Sequence, residues 1–327
     1  MFRKNLILTL LIALVAACAP APQPTATVVP VSTEISVTDV VPTEAATEGL
    51  SFTDGLGREV TLAAPAQRIV TLAPSLTEFV FAVGAGEQLV GRDELSDFPA
   101  EAADVASIGS TFGAVNTEAI LALEPDLVLA AEINTPEQVQ ELESLGLTVY
   151  YLSNPLTYDE LYEQVKLFGQ LTGHEDEATA LAESLATRVE AVESAVANVT
   201  EKPTVFYEID GTDPAKPWTT GPGTFMNTMI SMAGGVNIGG VLSDPFAQIS
   251  VEEIVAQDPK IILLGDTLYG VTIESIAERA GWGDLSAVKE GNIYAFDDNL
   301  ASRPGPRMVD GLEELLKILH PELVVSQ

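Results

Sequence analysis

The segment Glu118–Ala130 (EAILALEPDLVLA) returns as Glu252–Leu264 (EEIVAQDPKIILL). Glu, Ile, Ala, Pro and Leu recur in register, and Glu124 and Asp258 are both acidic. Each copy reads as a short helix, a proline stop and an apolar strand. A chain that uses one helix–strand unit in both its halves is expected to form two similar lobes. Two lobes enclose a cleft, and each shows the same acidic helix start to the outside. Ordinary αβ units share this pattern, so coincidence is the alternative; the full-register match favours duplication.

The rest of the folded part follows the same grammar. Phe52–Leu62 reads as a hairpin turning at Asp54-Gly55 and Gly57. Ile69–Leu72, Gln88–Gly91, Asp126–Ala130 and Leu147–Tyr151 read as strands, with helices between them. Ser75-Leu-Thr-Glu78 and Ser250-Val-Glu-Glu253 each read as a capping box, and Asn116, Thr135-Pro-Glu-Gln138 and Thr157-Tyr-Asp-Glu160 as caps. Alternating strand and helix predicts an α/β fold with mainly parallel sheets, whose ligands sit beyond the carboxyl ends of the strands. His174 to about Val199 lacks Gly and Pro and carries apolar residues at a 3.6 period. As one helix it would span roughly 39 Å, the length of a lobe, and so reads as a single rigid connector. Thr204–Ile209, Ile261–Leu264 and Asn292–Phe296 are the strands expected beyond it, with Phe225–Ala233 a helix and Gly305–Leu319 leading into the last one.

The N-terminal stretch has a different character. Arg3 and Lys4 precede the apolar run Leu6–Ala17, too short for the ~20 residues of a membrane span. It reads as a secretory signal. Val15-Ala-Ala-Cys18 resembles the lipobox of bacterial lipoproteins, and Cys18 is the only cysteine. That resemblance implies cleavage before Cys18 and lipidation of it, with an ordinary signal peptide as the alternative. From there to about Gly49 the chain is rich in Pro, Thr, Val, Ala and Glu, an extended tether. The expected divisions are 1–17 signal, 18–50 tether, 51–173 first lobe, 174–200 connecting helix and 201–327 second lobe. The location follows: extracytoplasmic, lipid-anchored to the cell membrane.

A formal net charge of −33 argues against nucleic-acid binding and against lying on an anionic membrane. Only 15 residues are Lys or Arg, so basic residues in Gly/Pro loops stand out: Arg92, Arg303 and Arg307. No Cys nucleophile, HExxH or GxSxG is present, and the two histidines, His174 and His320, are far apart at helix ends, where both are expected at the surface. No enzyme constellation and no metal-ligand cluster emerges, so a non-enzyme without a cofactor is expected.

Several segments together resemble the substrate-binding proteins of ABC importers for cobalamin, ferric siderophores and haem. They are Arg68–Gly84, Ser96–Pro99 (SDFP), Asn116–Ala130, Ala233–Ile238 (AGGVNI), Gln248–Ile254 and Arg303–Leu312 (RPGPRMVDGL). The resemblance runs from about Phe52 to Leu323. It implies two Rossmann-like lobes joined by one backbone helix, little movement on binding, and a metal chelate as ligand. It implies as partners a permease dimer with its ATPase, docked through one surface glutamate per lobe at Glu118 and Glu252; a helix-dipole role is the plainer reading of those residues. A monomer is expected.

Loops after strand ends carry the candidate cleft residues Arg92, Phe98, Thr111, Phe112, Trp218, Phe246, Asn299, Arg303 and Arg307. Aromatic walls suit a bulky planar ligand, and arginines suit carboxylate, phosphate or catecholate oxygen. Core packing for Phe98 and Phe246, and structural ion pairing for the arginines, remain open at this level. Cobalamin-type corrinoid and ferric siderophore are both compatible; haem would need an axial Tyr or His. A tethered sensor or scavenger without transport is the rival function.

Overall fold

Strand alternation in this chain is apolar on both faces, so each sheet must be covered twice. Ile69, Leu127 and Leu129 pack into one apolar cluster, while Val70, Val128 and Ala130 pack into another. Val205, Tyr207, Ile261 and Leu263 turn the same way as the first set, and Phe206, Ile262 and Leu264 form a third cluster. The computed structural model describes residues 49–323. Cys18, the signal and nearly all of the tether lie outside them.

A hairpin opens the described chain, β1 (Leu50–Thr53) against β2 (Glu59–Leu62). The first lobe contains β3 (Ile69–Thr71), α1 (Pro74–Ala82), β4 (Leu89–Arg92), α2 (Thr117–Ala122), β5 (Leu127–Ala131), α3 (Pro136–Ser144) and β6 (Val149–Leu152). Its sheet is parallel, in the order β4-β3-β5-β6. Then come α4 (Tyr158–Thr172) and α5 (Glu175–Val196). The second lobe contains β7 (Thr204–Glu208), β8 (Trp218–Thr220), α6 (Phe225–Met232), β9 (Val236–Asn237), β10 (Phe246–Gln248), α7 (Val251–Gln257), β11 (Ile261–Leu264), α8 (Ile273–Glu278), α9 (Ser286–Glu290), β12 (Ile293–Ala295), α10 (Asn299–Ser302) and α11 (Met308–Leu319). Its main sheet is parallel, in the order β12-β11-β7-β9. β8 and β10 form a separate antiparallel ribbon.

Read outward from the same edge, β4-β3-β5-β6 and β9-β7-β11-β12 are one topology. The sequence repeat occupies equivalent places in it: α2–β5 beside β3, and α7–β11 beside β7. Even the turn is repeated. Glu124 and Asp258 precede the matched prolines, and both adopt left-handed backbone, φ 47° and φ 43°. A side chain there costs roughly 1–2 kcal/mol, so its recurrence at one repeat position supports common ancestry of the two lobes over coincidence.

The connecting helix is shorter than the sequence period suggests. It has 22 residues, about 33 Å, and His174 is its N-cap residue. Gly173, left-handed at φ 78°, separates it from α4. Its buried stripe of Ala178, Ala182, Leu185, Val189 and Val192 packs beside α4 and α11. α1, α4, α5, α6 and α11 all contribute to the first apolar cluster, which reaches both sheets without a break. The lobes thus share a helical middle layer and do not hang on an isolated rod.

One predicted cap is wrong. Asn116, Thr135 and Ser250 each accept from the expected backbone N–H, and the Thr135/Gln138 box is complete. Ser75 and Glu78 do not cap α1. That helix starts at Pro74 after extended Ala73, with no side-chain cap, and Glu78 is buried inside it. Thr157 caps α4 by accepting from Glu160 N, and the Ser250 box is half formed, since Glu253 accepts from Gln257 Nε2. His320 is also buried, its ring nitrogens beside Glu322 and the Gly234 carbonyl, and not at the surface as expected.

Candidate functional site

The carboxyl ends of both sheets face one cleft. It holds two adjoining cavities of about 550 Å³ and about 330 Å³ that share Asn154, Asp298, Ser302 and Pro304. The larger meets Glu132 after β5 and Asn154–Leu156 after β6 from the first lobe, and Tyr207, Phe246 and Asp298 from the second. The smaller meets Ala73–Ser75 after β3, Asp93 after β4, Thr111 and Phe112 from the first lobe, and Tyr269, Asn299 and Arg303 from the second. Cavities of this size and apolar lining suit an organic ligand, with a few fixed polar groups to orient it.

Aromatic side chains stand open on the cleft from both lobes. Phe112 is 60% exposed, Phe246 61% and Tyr269 86%. Cross-strand pairing puts Phe246 opposite Thr220 and Gln248 opposite Trp218, so Trp218 shares the ribbon face that carries Phe246. Phe246 and Trp218 are thus surface residues, and the core reading of Phe246 falls; Trp218, predicted for the cleft, lines neither cavity. Phe98 is also exposed but lines neither cavity; it lies under the Arg307 guanidinium, 3.9 Å from its ring centroid.

The arginines are already engaged. Arg92 donates to the carbonyls of Ala102 (2.7 Å) and Asp93 (2.9 Å) and lines neither cavity. Arg307 forms a two-pronged pair with buried Glu78, Nε–Oε2 2.9 Å and Nη2–Oε1 2.6 Å. Arg303 binds Asp97 at 2.5 Å and lies 3.6 Å from Glu78. These pairs cross from α10–α11 to α1 and the SDFP loop, so they join the lobes at the cleft floor. Burial raises the Glu78 carboxyl above its ordinary range. For Asp97 burial pushes up as well, but the Arg303 hydrogen bond and charge outweigh it and hold the carboxyl low. The sequence-level expectation of three ligand-facing arginines reduces to Arg303, and that one is paired.

A buried hydroxyl chain holds the SDFP loop. Thr71 Oγ1 meets Thr77 Oγ1 at 2.6 Å, Thr77 meets Ser96 Oγ at 2.8 Å, and Ser96 donates to Asp93. In the second lobe Tyr207 donates its hydroxyl to Asp298. Burial, then the Asp298 charge, pushes the Tyr207 hydroxyl far above its usual range, so it stays a donor. Gly265 permits this arrangement: a Cβ there would stand 2.6 Å from Tyr207 Oη. Arg279 grips the buried Glu208 carboxylate behind it through Nη1 (2.5 Å) and Nη2 (2.8 Å).

Among the predicted residues, the cleft brings together Thr111, Phe112, Phe246, Asn299 and Arg303. Sequence reasoning missed Glu132, Asn154, Tyr207, Tyr269 and Asp298. The strand-end rule could have found Glu132, Asn154 and Asp298, which follow predicted strands; Tyr207 lies inside one, Thr204–Ile209, and Tyr269 sits in a short turn with no local signal. Glu118 and Glu252 are both exposed in the first turns of α2 and α7. No group of three or more His, Cys, Asp or Glu able to hold a metal occurs among the described residues.

Comparison with known proteins agrees with this architecture. The model of the family described as "Periplasmic binding protein" matches residues 69–300. The chain belongs to the periplasmic binding protein family. It is 30% identical over 278 residues to an uncharacterized ABC transporter substrate-binding lipoprotein of Bacillus subtilis (strain 168), covering 84% of this chain and 86% of that one. The crystal structure of the periplasmic vitamin B12 binding protein of Vibrio cholerae is 27% identical, with TM-score 0.67 over 80% of this chain and 99% of that one. A periplasmic heme-binding protein from Roseiflexus sp. RS-1 is 26% identical, with TM-score 0.70 over 79% of this chain and 99% of that one.

Proposed function

We propose that this protein is the extracytoplasmic ligand-capture component of an ABC importer, holding a metal chelate between its lobes and delivering it to a permease dimer with its ATPase. The observation that carries the reading is the single cleft at the carboxyl ends of two equivalent sheets, walled by exposed aromatics from both lobes. Flat faces order a bulky planar chelate at little entropic cost. Capture without turnover is part of the same reading. The ligand of the vitamin B12 binding protein, a corrinoid, is one chelate of this kind, and a ferric siderophore is another. A visible absorption spectrum of the purified protein, followed by calorimetry with cyanocobalamin, a ferric hydroxamate and a ferric catecholate, tests the reading. Failure of every chelate to bind, or its chemical conversion on binding, would sink it.

Glu118 and Glu252 are the contacts offered to the permease, one from each lobe. A two-fold permease needs two like contacts, and the duplicated α2 and α7 starts supply them. Glu118→Ala with Glu252→Ala is expected to leave chelate affinity intact and abolish uptake. Unchanged uptake would remove the docking role. Lipid anchoring at Cys18 places the cleft outside the cytoplasmic membrane; Cys18→Ser is expected to move the protein from the membrane fraction to the soluble extracytoplasmic one.

Haem is the second reading, favoured by one observation: the Tyr269 side chain, 86% exposed, lines the smaller cavity and could supply an axial oxygen. A Soret band lost on Tyr269→Phe would select it.

A further inference from the structure

Glu132 follows β5 in the first lobe, Asp298 follows β12 in the second, and both line the larger cavity. Each is positioned by its own lobe. Glu132 Oε1 accepts from Asn154 N at 3.1 Å, and Asp298 Oδ1 accepts from the Tyr207 hydroxyl. Among the described residues, Glu132 Oε2 and Asp298 Oδ2 have no hydrogen-bond donor. No Lys or Arg lines that cavity. Arg303, which lines the adjoining cavity, is engaged by Asp97. Thr220 lines the same cavity, is only 2% exposed, and its hydroxyl has no partner among the described residues.

We infer that Glu132 and Asp298 select the ligand by its rim: the cleft takes a chelate edged with N–H donors and turns away one edged with carboxylate or catecholate oxygens. This rests on the chelate-capture reading and goes beyond it by naming the surface chemistry of the ligand. An amide rim completes the two open carboxylate oxygens with charge-assisted hydrogen bonds and gives the Thr220 hydroxyl a polar partner. An anionic rim meets two carboxylates, Glu132 exposed and Asp298 half-buried, with no unpaired cation lining the cavity to offset them. Like-charge juxtaposition of this kind disfavours the wrong ligand.

The test is calorimetry with two corrinoids of the same shape: cobyric acid, whose side chains are almost all amides, and cobyrinic acid, in which those groups are carboxylates. The intact protein is expected to bind cobyric acid tighter by at least about tenfold. Glu132→Gln with Asp298→Asn keeps both positioning bonds and removes both charges, and is expected to close most of that gap. Glu132→Gln alone, on an exposed side chain, is expected to close part of it and serves if the double variant melts early. An unchanged gap in the variants, or tighter binding of cobyrinic acid by the parent, overturns the inference. Tight binding of a ferric tris-catecholate would overturn it while leaving chelate capture intact. Failure of cobyric acid, cobyrinic acid and the catecholate alike would overturn it, and chelate capture falls with it only if cyanocobalamin and the ferric hydroxamate also fail to bind.

Discussion

Arg307 holds a carboxylate that water cannot reach. Glu78 is 3% exposed, and its two oxygens take both prongs of that guanidinium. Removing one member of a buried pair costs about 3–5 kcal/mol, because the other is left charged and unpaired. Arg307→Met is expected to destabilise by up to that amount in urea unfolding, because Arg303, 3.6 Å from Glu78, remains as a partial partner, and Glu78→Leu with Arg307→Met to recover much of the loss. A loss below about 1 kcal/mol for Arg307→Met would show that Glu78 is not left unpaired, with solvent or Arg303 taking its place. At this scale the sequence is a poor guide. Ser75 and Glu78 have the spacing of a capping box, but Pro74 already suits the first helical position, and the glutamate has a partner more than two hundred residues away. Local spacing describes what a side chain could do; a distant arginine decides what it does.

Among the elements, α5 and α11 are tied by Arg188, which binds Glu313 (2.8 Å) and Asp310 (2.6 Å). The Arg188 hydrogen bond holds the Glu313 carboxyl below its ordinary 4.5, outweighing the opposing effect of burial. A carboxyl depressed in the folded state stabilises at pH values above its unfolded value, and that contribution is lost as pH falls through the lower folded value. The stability difference between parent and Arg188→Ala is therefore expected to be full at pH 7, about 1 kcal/mol for such a half-exposed pair, and to shrink below about pH 4.5. Thermal melts of both proteins across that range check it; a difference that grows with acid would contradict the assignment. Elements themselves were largely legible. Both parallel sheets, the hairpin and the repeated α2–β5 and α7–β11 units follow from apolar runs, caps and proline stops. The β8–β10 ribbon was not read, because Trp218–Thr220 and Phe246–Gln248 form no apolar run, unlike the equally short β3 and β12.

Across the whole molecule, one apolar cluster runs from the first sheet through α1, α4, α5, α6 and α11 to the second. Opening the cleft would shear that layer and break the Glu78, Asp97 and Arg188 pairs together. Packed cores resist such continuous deformation. The radius of gyration from small-angle scattering is expected to change by less than about 1 Å between ligand-free and chelate-bound protein. A contraction of several ångströms would mean that the middle layer slides.

From the sequence alone came two equivalent αβ lobes, the helix between them, the paired exposed glutamates and the strand ends where a ligand would sit. These depend on periodicity, caps and a repeat, all written within short windows. Only the tertiary structure decided the character of the cleft. It turned the arginines toward Glu78, Asp97 and backbone carbonyls, and it put Glu132 and Asp298 on one cavity from opposite lobes. Which charge finds which partner depends on distances set by packing between segments far apart in the chain, and no local pattern encodes them.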